Sequence, residues 1–255
     1  MIEIDKIYNE DCLLGMSRIP DGTVDCIITD LPYEVLNDGN PDARWDKMIP
    51  LEPMWDQFIR ITKPNAAIVL FAQGMFTAQL MMSQPRMWRY NLVWDKVRTT
   101  GYLNAKKQPL RCHEDICVFY AMQPTYNPQK TKGQPNHSRG KLIGKQTNRC
   151  YGVVGKPVDV FTEDKFPRSI VVSANKVQGN EHPTQKPIPL LQWLIRTYSN
   201  EGDTILDATI GSGTTAIAAI KEKRHWIGFE LNKEYFDKAC KRIERERQQL
   251  TLDFK

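Results

Sequence analysis

The sequence predicts an α/β fold in which helices cover both faces of a mostly parallel sheet and a loop-rich insertion interrupts the chain. Three observations support this prediction. Short apolar runs rich in β-branched residues alternate with amphipathic stretches along most of the chain. A glycine-rich turn separates a strand pattern from a helix pattern near the carboxyl terminus. Residues 121–180 show little periodicity and are rich in Pro, Gly, Asn, Gln and Lys, which is typical of an insertion.

The individual elements follow from the local patterns. Runs dominated by β-branched and aromatic residues and bounded by turn residues predict strands at 24–29, 66–71, 90–94, 116–120, 204–206 and 225–229. Helical patterns predict helices at 53–61, 75–82, 189–198, 214–223 and 233–249, with Asn232 as the cap of the last one. We therefore expect one domain whose two halves, 1–120 and 181–255, flank the insertion 121–180.

Composition excludes several classes of protein. With 255 residues, 41% hydrophobic and 25% charged, the chain is neither fibrous nor disordered. The net charge of +5 is uninformative by itself, but residues 121–180 carry +7 and the remainder carries −2. Such a basic segment indicates a polyanionic partner, although a solvated basic loop explains the charge equally well.

Neither export nor a membrane anchor is expected. The acidic amino terminus lacks the apolar core of a signal peptide, and polar residues interrupt the longest uncharged stretch, 64–85. The six cysteines form no C-x-x-C pair, which favours reduced thiols in the cytoplasm over disulfides. Cys112, His113 and Cys117 have poor spacing for zinc, and no metal site is predicted.

The glycine-rich turn spans residues 207–216 and suggests a cofactor site. Gly211 and Gly213 allow a close approach of the backbone to a ligand. Glu230, nineteen residues after Gly211, ends the next strand, where its carboxylate can accept hydrogen bonds from ribose hydroxyls. These features indicate an adenosine-containing cofactor. The turn also fits the nicotinamide dinucleotide pattern, but only one clear strand follows it. The missing strands must then come from the amino-terminal half, as in a circularly permuted doubly wound sheet.

A second candidate site follows the strand at 24–29. Asp30 offers a hydrogen-bond acceptor, Pro32 stiffens the turn and Tyr33 provides a flat aromatic face. Ligands bind at the carboxyl ends of parallel strands, and this combination suits an aromatic amine. The carboxylate can accept hydrogen bonds from the amine, and the tyrosine ring can stack on the aromatic ring. Taken alone, the segment is better explained as a turn that ends the strand and packs a tyrosine.

Together these segments resemble the DNA amino-methyltransferases, which transfer a methyl group from S-adenosylmethionine to the exocyclic amine of adenine or cytosine. Residues 30–33 match three of the four positions of the family's catalytic signature, which is an acid, Asn or Ser, then Pro-Pro, then an aromatic residue. Residues 207–215 resemble its cofactor loop, 182–187 the preceding motif and 9–13 its amino-terminal segment. The order of catalytic motif, basic region and cofactor loop resembles the β subgroup, in which the basic region recognises the target.

The resemblance implies a circularly permuted Rossmann-like methyltransferase sheet, S-adenosylmethionine as cofactor and double-stranded DNA as partner, with a homodimer plausible. The implied catalytic residues are Asp30, Leu31, Pro32 and Tyr33. The implied cofactor-binding residues are Asp11, Cys12, Asp30, His182, Thr184, Lys186, Asp207, Gly211, Ser212, Gly213, Thr214 and Glu230. The expected DNA-binding residues are Lys130, Lys132, Arg139, Lys141, Lys145 and Arg149.

The chain departs from the family pattern in two places. Leu31 replaces the first proline of the signature, and Ala208 and Thr209 replace the usual proline and phenylalanine of the cofactor loop. An acid-first signature favours adenine as the target, with cytosine-N4 as the alternative. A methyltransferase acting on RNA or protein glutamine, a DNA-binding homologue without activity and a nicotinamide dehydrogenase are further alternatives.

Overall fold

The structure is a computed structural model that describes residues 2–33, 47–134, 147–148, 152–153, 163–174 and 185–253. Its strands are β1 (Lys6–Tyr8), β2 (Val24–Asp30), β3 (Thr62–Ala72), β4 (Trp88–Thr100), β5 (Arg111–Phe119), β6 (Thr131–Lys132), β7 (Thr147–Asn148), β8 (Gly152–Val153), β9 (Asp164–Lys165), β10 (Ile170–Val172), β11 (Thr204–Asp207) and β12 (His225–Phe229). Its helices are α1 (Cys12–Met16), α2 (Leu51–Ile61), α3 (Met75–Ser83), α4 (Ile188–Tyr198), α5 (Thr214–Lys221) and α6 (Lys233–Asp253).

Eight strands form one sheet in the order β1-β12-β11-β2-β3-β5-β4-β10. Strands β1, β12, β11, β2 and β3 run parallel, β5 is antiparallel to both β3 and β4, and β10 is parallel to β4. Successive buried residues of β2 and β3 belong to two different hydrophobic cores. One core contains residues of α4, α5 and α6, and the other contains residues of α1, α2 and α3. Helices therefore cover both faces, and the predicted fold class is confirmed.

The strand order is that of a circularly permuted doubly wound sheet. Strand β11, near the carboxyl terminus, pairs in parallel with β2, so that Ile205 lies opposite Cys26 and Leu206 opposite Ile27. The chain continues from β11 to β12 on one side of this pair and from β2 to β3 on the other. The strand order therefore reverses between β11 and β2, which is where ligands bind in open α/β sheets.

The structure divides into two compact units that differ from the composition-based boundaries. One unit contains Met1–Asn127 and Ser169–Lys255, and the other contains Pro128–Arg168. Strand β10 falls within the basic segment 121–180 but pairs with β4 of the main sheet. Within the second unit, β6 pairs with β9 and the Lys132 ammonium lies 2.7 Å from the Asp164 carboxylate.

Several predicted boundaries differ from the observed ones, and those of α5 and β4 have clear physical reasons. Helix α5 ends at Lys221, two residues earlier than predicted, and Lys223 adopts a left-handed backbone (φ 57°) that a helix cannot contain. Strand β4 runs six residues past its predicted end and pairs with β5 in a long antiparallel ladder. No helix of the described residues is both long and apolar enough to cross a membrane.

The packing of α1 against β12 gives a first prediction. A Cβ atom at Gly15 would lie 2.1 Å from the buried ring of Phe229, so Gly15→Ala must displace that ring. We expect the free energy of unfolding, measured by urea denaturation, to fall by about 1–3 kcal/mol. Because alanine is the better helix former, a gain in stability would show that the two elements do not pack this closely. The control is Leu14→Ala, at a side chain that is 68% exposed, which we expect to change stability by less than about 0.5 kcal/mol.

Candidate active site

A cavity of about 660 Å³ opens at the carboxyl edge of the sheet, where the segments following β2, β11 and β12 meet. Its size lies within the range of small-molecule binding sites. Six acidic side chains from five separate segments line it, namely Glu10, Asp11, Asp30, Glu114, Asp207 and Glu230. The cavity thus brings together the glycine-rich turn and the segment after β2, which the sequence presents as two separate candidate sites.

Asp30 lies at the last position of β2, and each of its oxygen atoms has a protein partner. Carboxylate Oδ2 accepts a hydrogen bond from the Lys186 ammonium at 2.6 Å, and Oδ1 accepts one from the Tyr33 hydroxyl. The Asp30 backbone carbonyl accepts a hydrogen bond from the Thr209 hydroxyl at 2.9 Å. Burial raises the pKa of the Asp30 carboxyl above its usual range, although the Lys186 cation opposes this rise.

Lys186 is a buried cation between two carboxylates. Its ammonium lies 2.6 Å from Asp30 and 3.2 Å from Glu114, and it also lies over the rings of Phe71 and Trp94, 5.1 and 5.8 Å from their centroids. Burial alone would lower the pKa of Lys186, but the two carboxylates outweigh it and raise the pKa. Lys186 therefore remains charged beside Asp30.

Glu114 and Lys96 extend this ion-pair chain into the antiparallel part of the sheet. Oε1 of Glu114 on β5 accepts a hydrogen bond from the Lys96 ammonium on β4 at 3.0 Å, and both side chains are largely buried. Burial opposes the ionisation of Glu114, but Lys186 and Lys96 together lower the pKa of its carboxyl. Sequence analysis missed both residues. Local pattern does not single them out, because β4 also carries Asp95 and Arg98 and β5 also carries Arg111 and Asp115.

The glycine-rich turn is tied directly to the segment after β2. The hydroxyl oxygens of Thr209 and Thr29 lie 2.8 Å apart, in addition to the bond from Thr209 to the Asp30 carbonyl. Thr209 occupies the position where the family has phenylalanine, so a polar link replaces an apolar side chain there. Buried Asp207 fixes the start of the turn by accepting the Thr209 N–H at 3.1 Å and the Thr215 hydroxyl at 2.5 Å, and burial raises its pKa to about 6.

The remainder of the turn is held by Glu230 and by an arginine of α6. The Glu230 carboxylate accepts the N–H groups of Gly211 and Asn232 at 3.0 and 2.7 Å, and burial raises its pKa. The Arg242 guanidinium donates to the Ser212 carbonyl and to the Thr214 hydroxyl, both at 2.9 Å. Sequence analysis missed Arg242 because its only signal is one cation in a highly charged surface helix.

The structure places most of the expected site residues around one cavity. The implied catalytic and cofactor-binding residues that line it are Asp11, Cys12, Asp30, Leu31, Pro32, Tyr33, Lys186, Asp207, Gly211, Ser212, Thr214 and Glu230. Gly213 does not line it and instead packs against Ala239 and Ile243 of α6. His182 and Thr184 lie outside the described residues.

Two of these residues have roles within the fold. Asp11 caps α1 by accepting the N–H groups of Leu13 and Leu14 at 2.8 and 3.2 Å. The Cys12 thiol is buried, which raises its pKa to about 12 and makes it a poor nucleophile.

The expected DNA-binding residues are only partly described. Lys130 and Lys132 lie exposed in the second unit, where the Lys130 ammonium lies 4.8 Å from the centroid of the Phe166 ring. Arg139, Lys141, Lys145 and Arg149 lie outside the described residues.

Comparison with known proteins gives consistent matches. The model of the DNA methylase family N6_N4_Mtase matches residues 24–241. Type II methyltransferase M1.MboII of Moraxella bovis is 25% identical, and the alignment covers 94% of this chain and 96% of that protein. Type II methyltransferase M.HpaI of Haemophilus parainfluenzae is 27% identical over 94% of this chain and 74% of its own length.

Solved structures share the fold. The M1.HpyAVI–SAM complex superposes with a TM-score of 0.62 at 22% identity, over 93% of this chain and 98% of the other. The cytosine-N4-specific PvuII DNA methyltransferase gives a TM-score of 0.62 at 15% identity, over 92% and 84%. Since the family model covers most of the chain, the protein belongs to the DNA methylase family and is an S-adenosylmethionine-dependent DNA amino-methyltransferase of the adenine-N6 or cytosine-N4 type.

Proposed function

We propose that this protein methylates the N6 amine of adenine in double-stranded DNA. One observation carries the proposal, namely that the Asp30 carboxylate and the glycine-rich turn line the same cavity and are joined through Thr209. The cofactor and the target amine can therefore meet at one edge of the sheet. The choice of adenine rests on the acid at the first position of the signature.

The cavity residues fit S-adenosylmethionine. The Glu230 carboxylate provides acceptors for ribose hydroxyls at the end of β12, while Ile210 and Leu231 offer apolar surface beside it. The left-handed backbone of Gly211 (φ 52°) lets the chain pass close to the ligand. When bound, S-adenosylmethionine supplies an electrophilic methyl group on a sulfonium centre.

Asp30 and Leu31 prepare the amine in this proposal. The base leaves the duplex because its amine is otherwise inaccessible. The Asp30 carboxylate and the Leu31 carbonyl accept hydrogen bonds from the two amine N–H groups. These bonds localise the nitrogen lone pair toward the methyl group. The negative charge of Asp30 then stabilises the positive charge that develops on the nitrogen during transfer.

Tyr33 completes the base-binding face. Its hydroxyl donates to Asp30, and its ring packs on Phe76 with the centroids 4.9 Å apart and the planes tilted by 37°. This packing restricts the orientation of the tyrosine, so the opposite face of its ring can stack on an extruded base. Stacking offsets part of the unstacking cost of a few kcal/mol.

Lys186 holds Asp30 until the amine arrives. Because its ammonium lies between Asp30 and Glu114, it can stay paired with Glu114 when an amine hydrogen occupies Oδ2 of Asp30. In this role Lys186 is a positioning residue of the catalytic carboxylate rather than a contact of the cofactor alone. In the same proposal the basic residues expected to bind DNA contact phosphates of the duplex. They are Lys130, Lys132, Arg139, Lys141, Lys145 and Arg149.

The modified base is the first test. We expect mass spectrometry of nucleosides from DNA of cells expressing the protein to detect N6-methyladenine, and long-read sequencing to place it in one sequence context. Cells expressing the Asp30→Asn variant provide the background. Detection of N4-methylcytosine instead would overturn the adenine assignment while leaving the family intact.

The role of Asp30 gives a second test. In Asp30→Asn, we expect the single-turnover rate of methyl transfer to fall by about 100-fold or more, because the variant lacks the negative charge that faces the developing cation. Binding of S-adenosylmethionine, measured by calorimetry, should change by less than about threefold, that is by less than about 0.7 kcal/mol. The matched control is Asp25→Asn near the opposite end of β2, which should retain the transfer rate. Near-normal turnover in Asp30→Asn would contradict the assignment.

The ion-pair chain predicts opposite pH shifts for two variants. Transfer requires ionised Asp30, so the rate should fall as the pH drops through the raised pKa of this carboxyl. Lys186→Met removes the cation that stabilises the carboxylate and should move this acidic limb to higher pH. Glu114→Gln removes a repelling negative charge and should move the limb to lower pH.

The measurement is the single-turnover rate between about pH 4 and 9, the range over which carboxyl and imidazole groups titrate. Lys186→Arg keeps the positive charge and should keep the limb near its original position. If the acidic limb of the pH–rate profile lies at the same pH in all variants, the ion-pair chain does not control the ionisation of Asp30.

A further inference from the structure

The β4–β5 hairpin carries a surface that the proposed function does not use. Residues 97–113 are all exposed, and they include two large apolar side chains at the apex, Tyr102 at 78% and Leu103 at 80% exposure. The same segment contains four cations, Arg98, Lys106, Lys107 and Arg111, and no Asp or Glu. None of the four forms an ion pair with another residue in the part of the chain that the structure describes.

The hairpin starts at the edge of the active-site cavity. Lys96 and Thr100 of β4 line this cavity, and Thr100 pairs with Arg111 where β5 begins. A smaller cavity of about 210 Å³ at the same root is lined by Arg111, His113 and Glu114 among others. Whatever binds the hairpin therefore lies next to the entrance of the base-binding site.

The pairing of β4 and β5 becomes irregular at the base of the hairpin. The regular ladder ends at the pair Asp95–His113, and the register shifts before Thr100 pairs with Arg111. Within this shift Val97 adopts a left-handed backbone (φ 64°), which is rare for a β-branched residue, and its N–H donates to the Asp95 carboxylate at 2.8 Å. Gly101 (φ 83°) then starts the short 3₁₀ turn Tyr102–Asn104 at the apex. Irregularities of this kind re-aim side chains beside functional sites.

We propose that this hairpin is a second DNA-contacting element, with Lys106 and Lys107 on phosphates and Tyr102 and Leu103 inserted into the base stack beside the extruded target. Extrusion leaves a gap in the duplex, and apolar wedges enter the base stack in DNA-bending proteins. The hairpin combines an apolar tip, which suits insertion into the base stack, with cations on the same loop, which suit contact with phosphates. The inference rests on base extrusion and is independent of whether the target is adenine or cytosine.

A second copy of this chain is the other conceivable occupant of the exposed apolar tip. Two identical hairpins would bring eight uncompensated cations together, because each carries four and no acid. Their mutual repulsion disfavours that association, whereas a polyanionic duplex neutralises the same charges. Charge complementarity therefore selects DNA.

The wedge is tested by single-turnover methylation of a duplex of about 30 base pairs that carries the methylated sequence mapped by long-read sequencing. For Tyr102→Ala/Leu103→Ala we expect the rate to fall by about tenfold or more on the matched duplex, and by less than about threefold when the target base is mispaired, because a mispaired base is easier to extrude. Met75→Ala/Met82→Ala, at two side chains that are each 75% exposed, is the matched control and should retain the rate. An unchanged rate, or an equal reduction on both duplexes, overturns the wedge.

The phosphate contacts are tested by binding to an arbitrary duplex of the same length, which requires no methylation. For Lys106→Ala/Lys107→Ala, the slope of log K against log salt concentration should decrease in magnitude by about 1.8, since each phosphate that a lysine neutralises contributes about 0.9. Lys63→Ala/Lys241→Ala, with the same change of charge, should leave the slope unchanged.

Two outcomes overturn the proposal. One is an unaltered slope in Lys106→Ala/Lys107→Ala. The other is a change in the sedimentation of the DNA-free protein when the hairpin residues are substituted, which would show that the hairpin binds a second copy of this chain. The experiment also separates the hairpin from the proposed function. If the wild-type protein methylates no DNA but the slope changes as expected, the proposed function fails and the DNA-contacting role of the hairpin stands.

Discussion

The hydroxyl of Thr209 is the contact on which the arrangement of the site depends. It bonds to the Asp30 carbonyl and lies 2.8 Å from the Thr29 hydroxyl, across about 180 residues of chain. These contacts form because β11 and β2 are parallel neighbours, with Leu206 opposite Ile27, so their carboxyl ends reach the same edge. A hydroxyl fixes this distance more sharply than an apolar side chain could, since a hydrogen bond constrains both length and angle. The phenylalanine-to-threonine departure is thus compatible with a well-formed site.

The second constraint is electrostatic. A buried carboxylate without a partner would take up a proton and lose the negative charge that the proposed transfer requires. Lys186 supplies the opposing charge, but one tightly bound cation would also cancel the field of Asp30. Glu114 shares this cation and is itself balanced by Lys96, so two cations and two carboxylates sum to zero. Because Lys186 is shared with Glu114, it opposes the burial-driven rise in the pKa of Asp30 without being the partner of Asp30 alone.

Local pattern was sufficient to predict four of the five parallel strands, all except β1. Buried strands consist of β-branched runs, so the acids that follow them, Asp30 and Glu230, could be placed at one sheet edge from the sequence alone. Glu114 and Lys96 could not be predicted, because they meet through the antiparallel register of β4 and β5, and a register is set by pairing rather than by local periodicity. Strand β10 is only three residues long, and its pairing with β4 is a tertiary effect.

The β4–β5 pair connects the proposed chemistry with the proposed DNA contact. Within the regular ladder, Trp94 lies opposite Glu114, which places Glu114 and the ion-pair chain in the regularly paired part of the sheet. Beyond Asp95 the register shift and the left-handed Val97 separate the exposed hairpin from that ladder. A duplex that displaces the hairpin tip can then be accommodated at the irregular segment, where fewer ladder bonds resist bending. The ion-pair chain that holds Asp30 thus lies in the regularly paired ladder, whereas the proposed DNA contact lies beyond the register shift.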